Sequence, residues 1–538
     1  MNINHVSDET CESYSSLTTE GEDLGPDENI PSGEEIAPAE LPQSVRDLPA
    51  DVTPVDVAEA LVELNRIDIR FDADTQLWYT FSLEGGWRAD PHCHRMSDFV
   101  VKTLRTLGGF VPEDLDTTKH RRFAKSRRSR TRSMETDSGI KGVRRLAETD
   151  TSIHCTSDEI DSVSWAIGTP DGVVDLRSGV RLPFDRSLFI TRRTRVRLQR
   201  AASCDRWQRF LREVLGDDED IQNYFQQLVG YLLTGETSEQ QMWLLVGSGS
   251  NGKSTLLHVL QRLLGDYVQQ SAESVLLGRP SAGGATNDLV RLKGIRCALL
   301  AETAQGQSFN EERVKGLVAS DTVTARGLYK EYEEFIPQAK FLLATNHLPV
   351  VRGVDEGIWR RLVVVHFKNK FEVGSDPALV RDLVGELPGI FAWAVRGAVR
   401  WYDSSLDFTV PNDWSLATIR YRAEHDVIKP FVDECVNFEN GLFVEATDLY
   451  ETYKLWCDDD GRQALSQGEF GQRFMATGLV TRGRKGKANH HTYFGAALKR
   501  SPEAEIAAKL DGFLDHHSTT PPGPPFDSLD GLLTEATP

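Results

Sequence analysis

Residues 247–254 read Gly-Ser-Gly-Ser-Asn-Gly-Lys-Ser, a complete GxxxxGK[ST] spacing. A loop of this composition suits one kind of chemistry, holding the phosphates of a nucleoside triphosphate. Gly247, Gly249 and Gly252 let backbone N–H groups turn inward around a β-phosphate, and the helix N-terminus behind them adds positive potential. Lys253 reaches the β- and γ-phosphates, and Ser254 offers its hydroxyl to Mg²⁺. Ser248, Ser250, Asn251 and Thr255 complete the candidate ATP-binding loop. The competing reading is a glycine turn with a coincidental lysine. What flanks the loop argues against it.

In front, Met242-Trp243-Leu244-Leu245-Val246 is a short apolar run of buried-strand type. Behind, Leu256, Leu257, Leu260, Leu263 and Leu264 recur at helical spacing. Strand, loop and helix come in the order the motif requires. Residues 295–301 read as a second buried strand leading to Glu302, an acid that can hold Mg²⁺ or polarise an attacking water. Residues 340–345 read as a third, ending at Asn346, whose amide can orient that water or sense a γ-phosphate. Arg360 and Arg361 precede a fourth, residues 362–367, and can either reach a neighbouring subunit's γ-phosphate or salt-bridge to Glu356. The spacing predicts Lys253, Glu302, Asn346 and the two arginines on successive strand ends of one compact sheet. Upstream, Trp207, Phe210, Leu211, Val214 and Leu215 predict a helix, and Tyr224, Phe225, Leu228 and Val229 a second. Ser308 and Glu311 resemble a capping box opening another.

A chain of 538 residues exceeds one hydrophobic core, and about three or four domains are expected. Its net charge of −20 sits at the two ends. Residues 1–60 hold 15 acids and one base, residues 501–538 seven acids and one base, and residues 61–500 are neutral. Charge therefore does not exclude a nucleic-acid partner. Residues 1–55 and 501–538 read as disordered acidic tails, too poor in apolar residues to build a core. No apolar run approaches the ~18 residues of a membrane span, and nothing at the N-terminus reads as a signal peptide. Seven scattered cysteines without a CxxC pair argue against a disulfide or zinc scaffold and for a cytoplasmic setting.

Between the tails an α/β chain is expected. A mixed α/β domain at 56–200 carries short strands around Phe71, Trp78, Tyr79 and Trp87. A helical lead-in follows at 201–240, an ATPase core at 241–370, a helical segment at 371–428 and a small domain at 429–500. Residues 119–132 include eight Lys or Arg. They read either as a phosphate-backbone contact or as a solvated loop balancing the acidic tail.

Together these motifs resemble the superfamily 3 helicases, in particular the phage and plasmid primase-helicase family related to poxvirus replicative helicases. The resemblance rests on residues 169–176, Gly230-Tyr231, residues 251–255 (Asn-Gly-Lys-Ser-Thr), residues 344–349 (Ala-Thr-Asn-His-Leu-Pro), residues 359–362 (Trp-Arg-Arg-Leu) and residues 386–394, and it spans roughly residues 60–500. It implies a ring-forming, ATP-driven DNA-unwinding motor of the AAA+ type, usually a homo-hexamer. On that resemblance Glu302 is the acid of the second motif, Asn346 the γ-phosphate sensor, and Arg360 or Arg361 a finger acting in trans. Many members carry two acids where this chain has Ala301-Glu302. The resemblance also makes residues 321–330 a pore-facing element. Read from the residues, it is a hairpin about Gly327 whose Arg326 and Lys330 grip single-stranded DNA, or one in which Arg326 pairs with Glu333 or Glu334.

Residues 429–500 look like a winged helix. One helix runs through Leu449, Tyr450, Tyr453 and Trp456, and a second through Phe470, Phe474 and Met475 stands in recognition position. Arg482, Arg484, Lys485 and Lys487 form a basic wing suited to duplex DNA, with protein docking the alternative. His92-Cys93-His94 lacks further metal ligands, and Asp72-Ala73-Asp74 is a lone acidic pair. The residues ahead of the α/β domain are too few and too polar for a polymerase-like module, so primer synthesis is not expected. The expected function is an ATP- and Mg²⁺-dependent DNA helicase of phage or mobile-element replication, with DNA and a replication polymerase or separate primase as partners. The alternative is a DNA-stimulated initiator or loader that remodels partners without processive unwinding.

Overall fold

Four apolar runs and a short polar edge strand form one parallel sheet: β1 (Met242–Val246), β2 (Val268–Gln270, the polar edge), β3 (Cys297–Ala301), β4 (Lys340–Thr345) and β5 (Leu362–His366). Their order is β5-β1-β4-β3-β2. The computed structural model describes residues 41–278, 287–301, 306–326, 332–351, 353, 356–372, 376–404, 408–426, 428–485 and 489–499. Both faces of the sheet are covered. Trp243, Leu245, Leu299, Leu342 and Val363 enter one core, and Leu244, Leu300, Phe341, Leu343 and Val364 enter the other. Burial on both faces is why β1, β3, β4 and β5 read as continuous apolar runs rather than alternating ones.

The first face is packed by helices α1 (Asp205–Leu215), α2 (Glu219–Leu233), α3 (Lys253–Leu264) and, beyond α4 (Glu311–Ala319), by α5 (Leu387–Asp403). Glu386 accepts hydrogen bonds from the Arg206 and Trp207 N–H groups at 3.0 and 2.9 Å, so α5 begins by capping α1. Helices α2 and α5 cross at glycines. A Cβ on Gly230 would lie 2.1 Å from the Ala398 nitrogen, and one on Gly397 would lie 2.0 Å from the Gln226 carbonyl. These are backbone atoms that cannot step aside. Gly230→Ala is therefore expected to destabilise the chain by at least about 1–3 kcal/mol, read as a lower urea midpoint. An unchanged midpoint would mean that the helices can separate at no cost.

Two cations are buried beneath the C-terminus of α2. Arg296 donates to the Leu233 carbonyl and, at 2.8 and 2.7 Å, to the Val163 and Ala166 carbonyls. Lys340 donates to the Thr234 carbonyl and, at 3.1 Å, to that of Gln338. Burial holds the Lys340 ammonium well below the ordinary lysine range, and the neighbouring Arg296 charge adds to the effect.

The folded N-terminal region starts earlier than its composition suggests. Leu41, Val45 and Val52 are buried with Val57, Leu61 and Trp78, so the acidic tail expected over 1–55 gives way to packed chain by residue 41. A few apolar residues interspersed among acids are enough, because helices laid over them supply the rest of the core. The strands expected around Phe71, Trp78 and Trp87 are Ile69–Asp72, Leu77–Ser82 and Gly86–Ala89, in a four-stranded sheet. The solvated loop offered for residues 119–132 is instead part of a helix, Thr117–Met134, whose Asp116 cap accepts from the Thr118 and Lys119 N–H groups. Lys and Arg are good helix formers, and no Gly or Pro interrupts the run. The acidic pair at Asp72 is structural, since its carboxylate accepts from the Asp74 and Thr75 N–H groups and from the Ser157 hydroxyl.

At the other end, helices Lys429–Cys435, Ala446–Asp459 and Gln467–Ala476 pack on a three-stranded antiparallel sheet of Val436–Glu445, His490–Leu498 and Thr481–Lys485. Among the described residues no helix is long and apolar enough to cross a membrane.

Candidate functional site

The loop after β1 is set by three left-handed residues, Gly249 (φ +90°), Ser250 (φ +47°) and Gly252 (φ +88°). A Cβ at Gly252 would also lie 2.6 Å from Val214 of α1, so position and conformation both demand glycine there. Lys253 opens α3 and is buried. Its ammonium donates to the Gly247 carbonyl at 2.7 Å, to Asn251 Oδ1 at 3.1 Å and to Asn346 Oδ1 at 3.2 Å. Ser254 follows on the exposed side of the first turn. Parallel pairing sets Thr345 beside Val246, which is how Asn346 comes to the loop.

Whether this cradle fits a triphosphate can be tested on its own atoms. Asn251 Nδ2 is buried and has no hydrogen-bond partner among the described residues. The oxygens of Gly247, Asn251 and Asn346 that hold the Lys253 ammonium are neutral, and phosphate oxygens can replace them. The cradle fits.

Glu302 lies outside the described residues. Its neighbour Ala301 ends β3 in register with Ala344, two positions before Asn346. The arginines stand elsewhere. Arg361 carries the carbonyl that receives the Met242 N–H at the start of β1, so Arg360 and Arg361 sit at the opposite edge of the sheet from the loop. A five-residue strand separates those edges, about 16 Å at ordinary rise. Lys253 and Asn346 therefore do not share an edge with Arg360 and Arg361. The pair also divides. Arg361 is buried and donates to the Gly357 carbonyl, whereas Arg360 is exposed and has no carboxylate within 4 Å among the described residues. Glu356 pairs with Arg422 rather than with either arginine.

Sequence reasoning missed what braces the loop. Phe371 donates its N–H to the Ser250 carbonyl at 2.8 Å, and Phe210 and Val214 pack beneath Gly252. The helical face of Phe210 and Val214 was visible in the sequence; its destination was not. The capping box expected at Ser308 is displaced by two residues. Helix α4 starts at Glu311, Asn310 caps it through the Arg313 N–H, and Glu311 instead accepts from the Gly353 N–H at 2.6 Å.

Candidate nucleic-acid residues are scattered over two hairpins. Strands Val323–Arg326 and Tyr332–Phe335 pair antiparallel with Arg326 opposite Tyr332. The five residues between them, Gly327 and Lys330 included, lie outside the described residues. Arg326 is exposed, with its guanidinium 5.2 Å from the Tyr332 ring. Glu333 pairs with Lys293, and Glu334 accepts from Thr324. In the second hairpin Arg482, Arg484 and Lys485 are exposed along Thr481–Lys485, and the Lys485 ammonium lies 2.9 Å from the Phe443 ring centroid. Lys487 lies outside the described residues. His92 and His94 rings lie 5.9 Å apart, and no metal-binding cluster occurs among the described residues.

Comparison with known proteins gives three family matches along the chain. Residues 58–216 match the D5 N terminal like family, residues 245–361 a family of unknown function (DUF5906), and residues 423–489 the Poxvirus D5 protein-like family. "Putative helicase L207/L206" of Acanthamoeba polyphaga mimivirus is 29% identical over 331 residues, 55% of this chain and 33% of that protein. "Putative helicase 022R" of Frog virus 3 is 25% identical over 44% of this chain and 26% of its own. "Putative primase C962R" of African swine fever virus is 33% identical over 26% of this chain and 15% of its own. The chain thus spans about a third or less of these relatives. Among solved structures, the apo C-terminal region of NrS-1 aligns with 82% of this chain and 99% of its own at 10% identity, with a TM-score of 0.43.

Proposed function

From a chain that carries a D5 N-terminal-like domain before its glycine-rich core and a poxvirus D5-like domain after it, we propose an ATP-dependent DNA helicase of replication that works as a homo-oligomeric ring. The observation that carries the reading is the meeting of Lys253 and Asn346 at 3.2 Å, from two adjacent parallel strands. One group serves phosphate charge and the other senses the terminal phosphate. The strand order β5-β1-β4-β3-β2 supports an AAA+-type core. ATP, when bound, supplies the phosphoryl group whose transfer to water drives movement, with Ser254 and Glu302 as the residues that would hold Mg²⁺. The chain's own part is to fix the phosphates on the loop, align water through Asn346, and offer Arg360 to a neighbouring subunit.

Strand displacement on a forked duplex tests the reading. ATP and Mg²⁺ should release the strand, and a non-hydrolysable analogue should not. DNA-stimulated hydrolysis with the fork left intact would favour the second reading, an initiator or loader, which is supported by the exposed cations of the C-terminal hairpin. We further propose that this hairpin is the wing of a winged helix on duplex DNA. Gln at Arg482, Arg484 and Lys485 should then weaken duplex binding and lower its salt slope by up to about 0.9 for each phosphate left unneutralised. An unchanged slope would assign the hairpin to protein docking.

A further inference from the structure

Helix Thr117–Met134 has no part in the function described above. Its inner face is formed by half-buried Phe123 and by buried Arg127, Thr131 and Met134. Arg127 is wholly buried, donates to the Leu48 carbonyl and lies 4.8 Å from the Phe123 ring centroid. Its outer face is different. Arg121, Lys125, Arg128 and Arg132 recur at intervals of four, three and four residues. On a helix that spacing keeps them within roughly 60° of arc along about 16 Å. All four are exposed, and with His120, Ala124 and Ser129 they line a shallow groove of about 450 Å³. Among the described residues, Lys119 of this helix pairs with Asp116, and no carboxylate lies within 4 Å of the four. Like charges at these spacings repel and weaken a helix, so the stripe is kept against the helix's own stability.

We propose that this stripe binds the phosphate backbone of duplex DNA without regard to sequence. The choice of DNA as the polyanion rests on the function proposed above. A duplex presents a phosphate every 3.4 Å along each strand, so the stripe faces roughly four or five of them. Single strands are held largely by stacking on exposed aromatic rings, and the one phenyl ring of this helix, Phe123, is turned inward under Arg127. The competing polyanion belongs to the chain itself. Residues 1–40 hold eleven acids and no Lys or Arg, and they join the fold at Leu41, near the Leu48 carbonyl that Arg127 grips. Extended, that segment offers roughly one charge per 12 Å, far below the density of DNA.

The test uses the full chain without nucleotide and a fluorescent duplex of random sequence, titrated from about 50 to 200 mM salt. Gln at Arg121, Lys125, Arg128 and Arg132 should weaken binding and make the slope of log K against log salt shallower, by up to about 0.9 for each phosphate the stripe no longer neutralises. Melting should hold or rise slightly as the like charges are removed, and DNA-independent ATP hydrolysis should not change. Lys at Arg121, Arg128 and Arg132 keeps the charge and should keep the slope, which separates electrostatics from folding. A slope left unchanged by the Gln substitutions overturns the proposal. So does a slope change that emerges only after residues 1–40 are removed, since the acidic segment would then be the occupant. Failure of the helicase reading is seen separately, as no ATP-dependent strand displacement by the unsubstituted chain.

Discussion

Alanine at Lys253 is expected to lower ATP hydrolysis by at least about 10²–10³-fold while the melting transition moves little. The ammonium is the positive charge that opens α3, and it donates to oxygens of the loop and of Asn346. On the proposed function its removal takes away the charge that would hold the β- and γ-phosphates, whereas the apolar packing of Leu256, Leu260 and Leu263 on the sheet remains. Asn346 is exposed and can return its amide to water. Hydrolysis by the variant at the normal rate would remove the loop from the active site.

The second large effect concerns Arg360. It stands at the edge of the sheet away from its own loop, so in the proposed ring its target would be the phosphates of an adjacent subunit. Arg360→Ala should cost about 10³-fold or more in hydrolysis, because a guanidinium spreads its charge over the transferring oxygens. Arg361→Ala should instead lower the melting temperature, because that side chain is buried against the Gly357 carbonyl. Mixing inactive Lys253→Ala and Arg360→Ala chains, with random subunit exchange, pairs an intact loop with an intact finger at about a quarter of interfaces. ATPase activity should return to at most that fraction. Verified exchange without recovery would confine Arg360 to a structural or surface role.

Much of the core was legible because its signals are local. A loop that turns phosphates toward backbone N–H groups needs its glycines and lysine within eight residues, and strands covered on both faces leave runs such as residues 340–345. The rest depended on packing between distant residues. Nothing in the order of residues told Arg360 from Arg361, since burial of the second depends on how residues 356–359 turn. Arg127 was indistinguishable from its neighbours within the basic run, although it is the one turned inward. The brace from Phe371 onto Ser250 crosses more than one hundred positions and has no motif.

The buried cations under α2 also bear on the order in which the chain can be made. The last carbonyls of that helix are met by Arg296 and Lys340, which follow them by 63 and 106 residues. At synthesis rates of about 5–20 residues per second the first of these arrives roughly 3–13 s after the helix end leaves the ribosome. Until then the helix terminus has neither cation to meet its carbonyls and frays into solvent. A nascent chain halted before Arg296 emerges should be cut by protease near residues 231–235, and one halted after β4 has emerged should resist. Equal cleavage of both would mean that the helix end is held by something nearer. Helix α2, made before the strands it packs on, thus has its end completed by residues at the starts of β3 and β4, and helix and sheet are expected to mature together during translation.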